Sequence, residues 1–143
     1  MEARSIGPAV MGGRITSIDA VAKEPRILYI GAAGGGIWKS LNGGASFKPV
    51  FDKNSQSIGA ITIDQQQPDV VYAGTGESNM RNSVSFGTGL YKSTDAGDNW
   101  VRIGLDSTER IARIVIAPND RNTIYVAAPG PLFSDSQIGR AHV

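Results

Sequence analysis

The stretch Ile58-Gly59-Ala60-Ile61-Thr62-Ile63-Asp64-Gln65-Gln66-Gln67-Pro68-Asp69-Val70-Val71-Tyr72-Ala73-Gly74 sets the fold. Two short apolar runs flank a polar turn that contains Pro68, and this reads as two strands joined by a tight connection. The same apolar positions recur 43 residues earlier, from Ile15 to Tyr29, and 53 residues later, from Ile111 to Tyr125. Agreement over about fifteen aligned positions in each copy marks an internal repeat. Farther along, Gly36-Ile37-Trp38-Lys39-Ser40 matches Gly89-Leu90-Tyr91-Lys92-Ser93, and Phe47 matches Trp100, both at the offset of 53. These supply a third strand, a turn from Thr94 to Asn99, and a fourth strand, Trp100-Val101-Arg102-Ile103. The second copy carries extra residues within Glu77 to Phe86, polar in character, which read as a surface loop.

No segment has a helical period. The expectation is an all-β fold, a partial β-propeller of four-stranded antiparallel blades, each about 40 to 50 residues long. Blades are placed at about 9–51 and 55–104, with a partial third at 108–136 whose third strand is missing. Propellers have about four to eight blades, so about two and a half blades imply a larger ring. The unfinished third blade is expected to expose an apolar face that includes Ile111, Ile114 and Ile116. Residues 1–137 are thus read as a truncated propeller and 138–143 as a non-native tail. The word Ile138-Gly139-Arg140-Ala141-His142-Val143 resembles a translated sequencing-adaptor end and is expected to lie outside the repeat geometry.

Composition narrows the chemistry. The 143 residues include 14 Lys+Arg against 13 Asp+Glu, one His and no Cys. That balance, without a basic cluster, gives no footprint for nucleic acid. No apolar run spans a membrane, and the residues after Met1 form no signal peptide. The lone His142 lies in the suspected tail, so histidine acid/base chemistry, histidine metal sites and Ser-His or Cys-His nucleophiles lose their central residue. Neither a cofactor nor a metal is expected.

The word Ser93-Thr94-Asp95-Ala96-Gly97-Asp98-Asn99-Trp100 reads as a turn-former: hydroxyl and carboxylate bond turn N–H groups, Gly97 takes a positive φ, and Trp100 covers the turn. It resembles the Asp-box, Ser-x-Asp-x-Gly-x-x-Trp, of sialidases, propeller xyloglucanases and sortilin-like receptors. Ser40, Asn42, Gly44 and Phe47 form a degenerate copy. Ser93, Asp95, Gly97 and Trp100, with those four, are therefore assigned a structural role. In the resembling families such turns lie on the face opposite the active site.

From Arg4 to Ser136 the chain resembles the N-terminal end of bacterial BNR-repeat proteins described as sortilin N-terminal-like and often labelled glycosyl hydrolase. The likeness rests on Arg4-Ser5-Ile6-Gly7-Pro8, Gly13-Arg14-Ile15, Gly34-Gly35-Gly36-Ile37-Trp38-Lys39-Ser40 and Gly74-Thr75-Gly76-Glu77. It implies a binding or interaction propeller, with a glycan or a protein or peptide as ligand, in a secreted or cell-envelope setting. The alternative is a glycoside hydrolase, xyloglucanase-like or sialidase-like, with its catalytic residues in other blades. Propeller xyloglucanases place an aspartate where this sequence has Ala33, which removes one carboxylate of the usual pair. Arg4, Arg14 and Arg113 do not match the sialidase arginine words, so no catalytic residue is assigned. Glu77, Asn79, Arg81 and Arg14 are the candidate ligand contacts, since a carboxylate, an amide and guanidinium groups lie close to the face where propeller ligands bind. A solvated loop explains them equally well. Asp95, Asp98 and Asn99 lack the spacing of a calcium loop. Trp38 and Trp100 could stack on sugars, but their repeat positions point to packing.

Overall fold

The computed structural model describes residues 14–54, 57–77 and 86–129, together with the backbone of 137–142. Its strands are β1 (Ile15–Ala20), β2 (Leu28–Ala32), β3 (Gly36–Ser40), β4 (Lys48–Pro49), β5 (Ile58–Ile63), β6 (Val71–Thr75), β7 (Leu90–Ser93), β8 (Val101–Gly104), β9 (Arg113–Ala117), β10 (Asp120–Ala128) and β11 (Gln137–His142). They form three antiparallel sheets in the orders β1-β2-β3-β4, β5-β6-β7-β8 and β9-β10-β11. No helix occurs among the described residues, and none there is long and apolar enough to cross a membrane.

The strand register reproduces the sequence repeat. Ser17 faces Gly31, Ala60 faces Gly74 and Arg113 faces Ala127; Asp19 faces Tyr29, Thr62 faces Tyr72 and Val115 faces Tyr125. A one-residue slip would turn each strand's apolar set to the wrong side, so a shared register follows from a shared apolar pattern. The first two blades also share an irregularity at the start of their first strands, between Ile15 and Ser17 and between Ile58 and Ala60.

Successive blades pack through two devices. One is a socket: a Cβ at Gly31 would lie 2.6 Å from Ile58 Cγ2, and a Cβ at Gly74 would lie 2.3 Å from Ile111 Cγ2. The absent side chain on each second strand leaves room for the first isoleucine of the following blade, and both isoleucines are fully buried. Ile111 and Ile114 are therefore inside, packed with Tyr72, Leu90 and Val126, and Ile116 is half-buried beside them. This corrects the expectation that they form an exposed face, because they point back to the second blade. The outward side of the third blade carries Val115 and Tyr125, both exposed.

The second device satisfies strand edges. Thr16 Oγ1 donates to Ile58 O at 2.6 Å, Ser17 Oγ accepts from Ile61 N at 2.9 Å, and Asp19 Oδ2 accepts from Ile63 N at 2.8 Å. Thr62 Oγ1 repeats the pattern with Ile114 O at 2.8 Å. Polar side chains on one first strand thus take the free backbone groups of the next, which would otherwise be an unpaired edge. Between the first two blades, Phe51 fills the core, edge-on to Tyr91 at 5.1 Å and to Trp100 at 5.2 Å.

Eleven strands occur among the described residues, and Gln137–His142 supplies a third strand to the third blade, which was expected to lack one. Ile138 to His142 pairs antiparallel with Thr123 to Ala127, so the expectation that the tail lies outside the repeat geometry is corrected. The free edge of β10 offers backbone N–H and C=O groups to any strand-competent segment, whatever its side chains.

Candidate functional site

Each blade has two edges. The loop edge carries the start of its first strand and the end of its second; the turn edge carries the connection between those strands and the Ser-x-Asp/Asn-x-Gly turn.

At the loop edge, backbone bonds clamp the segment after β6. Gly76 N donates to Ser57 O at 2.8 Å, Gly87 N to Glu109 O at 2.8 Å, and Ile111 N to Thr75 O at 3.1 Å. The buried Thr75 hydroxyl donates to Gly89 O at 2.7 Å and accepts from Thr88 N and Gly89 N, so it fastens the far end of the inserted loop to the second strand. Gly76 has φ +86°, and a Cβ there would lie 1.9 Å from Glu109 O. This close approach fixes where Glu77 emerges.

Glu77 is buried, and its Oε1 forms an ion pair with Arg14 Nη2. Arg14 precedes β1, and its carbonyl accepts from Ala33 N at 3.0 Å. Two of the four candidate contacts, Arg14 and Glu77, are thus brought together from the first and second blades; Asn79 and Arg81 lie outside the described residues. Arg14 Nε is buried without a hydrogen-bond partner among the described residues. Sequence reasoning missed Arg110, which is buried and whose Cα lies 2.9 Å from where a Gly76 Cβ would stand. The signal was present, since Arg14, Ser57 and Arg110 occupy one repeat position. Ala33, where propeller xyloglucanases resembled by this sequence have an aspartate, bridges to Ser57 at the same edge. Among the described residues no three His, Cys, Asp or Glu side chains gather as metal ligands.

The turn edge contains the Ser-x-Asp-x-Gly word. Ser93 Oγ donates to Asp95 Oδ1 at 2.8 Å and accepts from Gly97 N at 2.9 Å. Asp95 also accepts from Asn99 N and Asn99 Nδ2, each at 2.8 Å. The Asn99 amide side chain, then its backbone N–H, then the Ser93 hydroxyl lower the Asp95 pKa to about 2. Trp100 Nε1 donates to Gly97 O at 3.0 Å and to Val50 O at 2.9 Å, which anchors its ring in the packing between blades. Trp38 Nε1 donates to Gly35 O at 2.8 Å.

In the first blade Ser40 Oγ donates to Asn42 Oδ1 at 3.0 Å and accepts from Gly44 N at 2.9 Å, while Asn42 Oδ1 accepts from Ser46 N at 2.9 Å. A Cβ at Gly44 would lie 3.7 Å from Phe47 Cζ, so the ring stands beside the glycine. The amide of Asn42 donates to Ser46 Oγ at 2.9 Å, so the direction of the second side-chain bond is reversed relative to Asp95 and Asn99. None of the eight residues Ser40, Asn42, Gly44, Phe47, Ser93, Asp95, Gly97 and Trp100 belongs to the Arg14–Glu77 cluster.

No protein-family model matches the chain, and no curated protein sequence matches it. Solved structures do. An ancestral GH74 enzyme aligns over 82% of this chain and 16% of its own at 18% identity and a TM-score of 0.68. The GH74 xyloglucanase from Xanthomonas campestris aligns over 87% of this chain and 20% of its own at 20% identity and a TM-score of 0.60. YCF48 from Cyanidioschyzon merolae aligns over 88% of this chain and 34% of its own at 16% identity and a TM-score of 0.59. These likenesses show a β-propeller fold, and the chain spans only 16 to 34% of the length of those neighbours.

Proposed function

We propose that this chain is part of a non-catalytic propeller of the BNR or sortilin-like kind that binds a glycan or a peptide at the loop edge of its blades. The observation that carries this reading is the state of Glu77. It is the one buried carboxylate at that edge among the described residues, and it is spent on an ion pair with Arg14. Glycoside hydrolysis of the xyloglucanase kind uses two carboxyl groups, one donating a proton and one acting as base or nucleophile, facing each other across the scissile bond. A carboxylate neutralised by a guanidinium suits a fixed scaffold, and Arg14 has an uncommitted buried Nε that an oxygen-rich ligand could satisfy. In this reading Glu77 orients Arg14, and Arg14, Asn79 and Arg81 face the ligand. The segment 138–143 is proposed as non-native, on the likeness of its sequence to a translated adaptor end.

The competing reading, a glycoside hydrolase with its carboxylates in other blades, draws its weight from the GH74 neighbours. The test titrates the chain with xyloglucan oligosaccharides by calorimetry and assays release of reducing ends in parallel. Saturable binding without release, weakened about tenfold or more by Arg14→Met, is expected. Release of reducing ends that Glu77→Gln abolishes would overturn the proposal in favour of hydrolysis.

A further inference from the structure

The chain's only Asn-Gly pair, Asn42-Gly43, lies in the Ser-x-Asn-x-Gly turn of the first blade, and both residues are exposed. A glycine after an asparagine puts no side chain in the way when its backbone nitrogen approaches the asparagine Cγ. That nitrogen can displace the side-chain amide as ammonia, so the pair holds both reactants of a self-modification. The native turn restrains both. Gly43 N–H, which must lose its proton before the nitrogen can attack, donates to Arg26 O at 2.9 Å. Asn42 is pinned at both side-chain polar atoms: Oδ1 accepts from Ser40 Oγ at 3.0 Å and from Ser46 N at 2.9 Å, and Nδ2 donates to Ser46 Oγ at 2.9 Å. Ring closure brings Cγ onto the nitrogen and turns the amide plane, so it breaks these bonds.

The second blade shows that the fold does not demand this pair. Asp95-Ala96 occupies the same place 53 residues on. There Ala96 N donates to Asp69 O at 2.9 Å, and the Ala96 carbonyl accepts from the Tyr29 hydroxyl at 2.8 Å and from Lys39 Nζ at 2.6 Å. Ala96 has φ 57° and Gly43 has φ 70°, so an alanine takes the same left-handed conformation. A Cβ at Gly43 would meet nothing within 4 Å. Neither backbone nor packing therefore requires glycine at position 43. Asp95 also shows how an aspartate sits in this frame: its Oδ1 accepts from Ser93 Oγ and from Asn99 N, each at 2.8 Å, the same two bonds that Asn42 Oδ1 makes.

We propose that Asn42-Gly43 is a deamidation site controlled by its turn: the closed turn withholds it, the open turn lets it react, and only the aspartate product fits back. In the reaction hydroxide removes the Gly43 amide proton, the nitrogen bonds to Asn42 Cγ, and the Cγ–Nδ2 bond breaks with loss of ammonia to leave a succinimide. Water then adds to the ring. Addition at Cγ breaks the new N–Cγ bond and gives aspartate; addition at the Asn42 backbone carbonyl carbon breaks the original peptide bond and gives isoaspartate. The net change is one water consumed and one ammonia released, with no oxidant or reductant. Aspartate keeps the backbone unchanged, and its Oδ1 can resume the bonds to Ser40 Oγ and Ser46 N while the Ser46 hydroxyl rotates to donate to Oδ2. Isoaspartate routes the chain through Cβ and Cγ, which lengthens the backbone by one carbon inside the turn and removes the side-chain acceptor. The Ser40 Oγ bond to Gly44 N and the Ser46 N bond to residue 42 then lose their common frame. The inference does not depend on the loop-edge reading, because this turn lies at the opposite edge.

The test incubates the full chain in mildly alkaline buffer made with heavy-oxygen water, once folded and once in concentrated urea, and follows residue 42 by peptide mass spectrometry, which reads the labelled carboxyl group. Conversion at Asn42 should be about tenfold or more slower in the folded chain, since several hydrogen bonds must open first. Ser46→Ala removes one of those bonds at an exposed position and should speed the folded reaction about threefold or more, with the rate in urea unchanged. Gly43→Ala should slow the reaction in urea, and circular dichroism verifies that both variants fold. The urea-treated chain is then refolded and exposed to limited proteolysis, and an isoaspartate-specific methyltransferase tells the two products apart: the aspartate form should survive and the isoaspartate form should be cut. Should Ser46→Ala not fold, the ratio of folded to urea rates and the product split decide alone. Equal rates in the folded chain and in urea, a folded Ser46→Ala that reacts no faster than the native chain, or isoaspartate that survives as well as aspartate overturns the proposal.

Discussion

Replacing Gly74 by Ala tests the packing between blades at one atom. The new Cβ would stand 2.3 Å from Ile111 Cγ2 and 2.7 Å from Ile111 Cβ, whereas carbon atoms rest at about 3.5 to 4.0 Å. Relief requires more than an ångström of movement at a fully buried side chain between two sheets. Gly74 does not have a positive φ, so the penalty is steric and not conformational. Overpacking of this kind costs about 1 to 3 kcal/mol, or roughly 3 to 10 °C of melting temperature for a chain of this size. Ile111→Ala alone should cost about 2 to 5 kcal/mol through the cavity it leaves. The two changes share one space, so the double variant should fall short of their sum by about 1 kcal/mol or more. Urea unfolding of the four proteins, followed by circular dichroism, measures the cycle. A neutral Gly74→Ala, or strict additivity in the double variant, would refute the socket and with it the view that these glycines fix the spacing of blades.

Two further outcomes concern the turns. The folded pKa of Asp95 is lowered from 3.8 to about 2, so its charge-dependent contribution is complete above the unfolded value and disappears as pH falls through about 2. Unfolding curves from pH 6 to pH 2 should therefore steepen for the native chain relative to Asp95→Asn, and parallel curves would refute the assignment. In the first blade, Asn42→Asp combined with Ser46→Asn should recreate the bonding of the second turn and exceed Asn42→Asp alone in stability by about 0.5 to 1.5 kcal/mol. Thermal melts of the single and double variants decide this, and equal melting temperatures would show that the two side chains do not act as a pair.

Strand identity and register were legible because the repeat is written in apolar side chains, and apolar periodicity is what packing reads. Ile15, Ile58 and Ile111 aligned, and so did the register of all three first hairpins. The turn chemistry was legible for a similar reason, since Ser93, Asp95 and Gly97 act on their own backbone. What escaped was the identity of the neighbour. Tyr29, Tyr72 and Tyr125 look equivalent in the sequence, yet the first two are buried and the third is 48% exposed. Their burial depends on the following blade, which no local pattern encodes. Arg110 escaped although it shares a repeat position with Arg14, because Ser57 interrupts the series. Pairing of Gln137–His142 with β10 escaped because backbone bonding leaves no trace in side-chain type.

The carbonyl of Ala96 that takes Tyr29 and Lys39 lies 67 and 57 residues downstream of them. During synthesis the acceptor for the first blade's phenol and ammonium is therefore absent until the second blade has been translated through its own turn. The first blade is thus locked by its successor, and its last tertiary bonds can form only one repeat behind elongation. A pause within the inserted loop after Thr75 would prolong the interval in which Tyr29 is open to solvent and to chaperones.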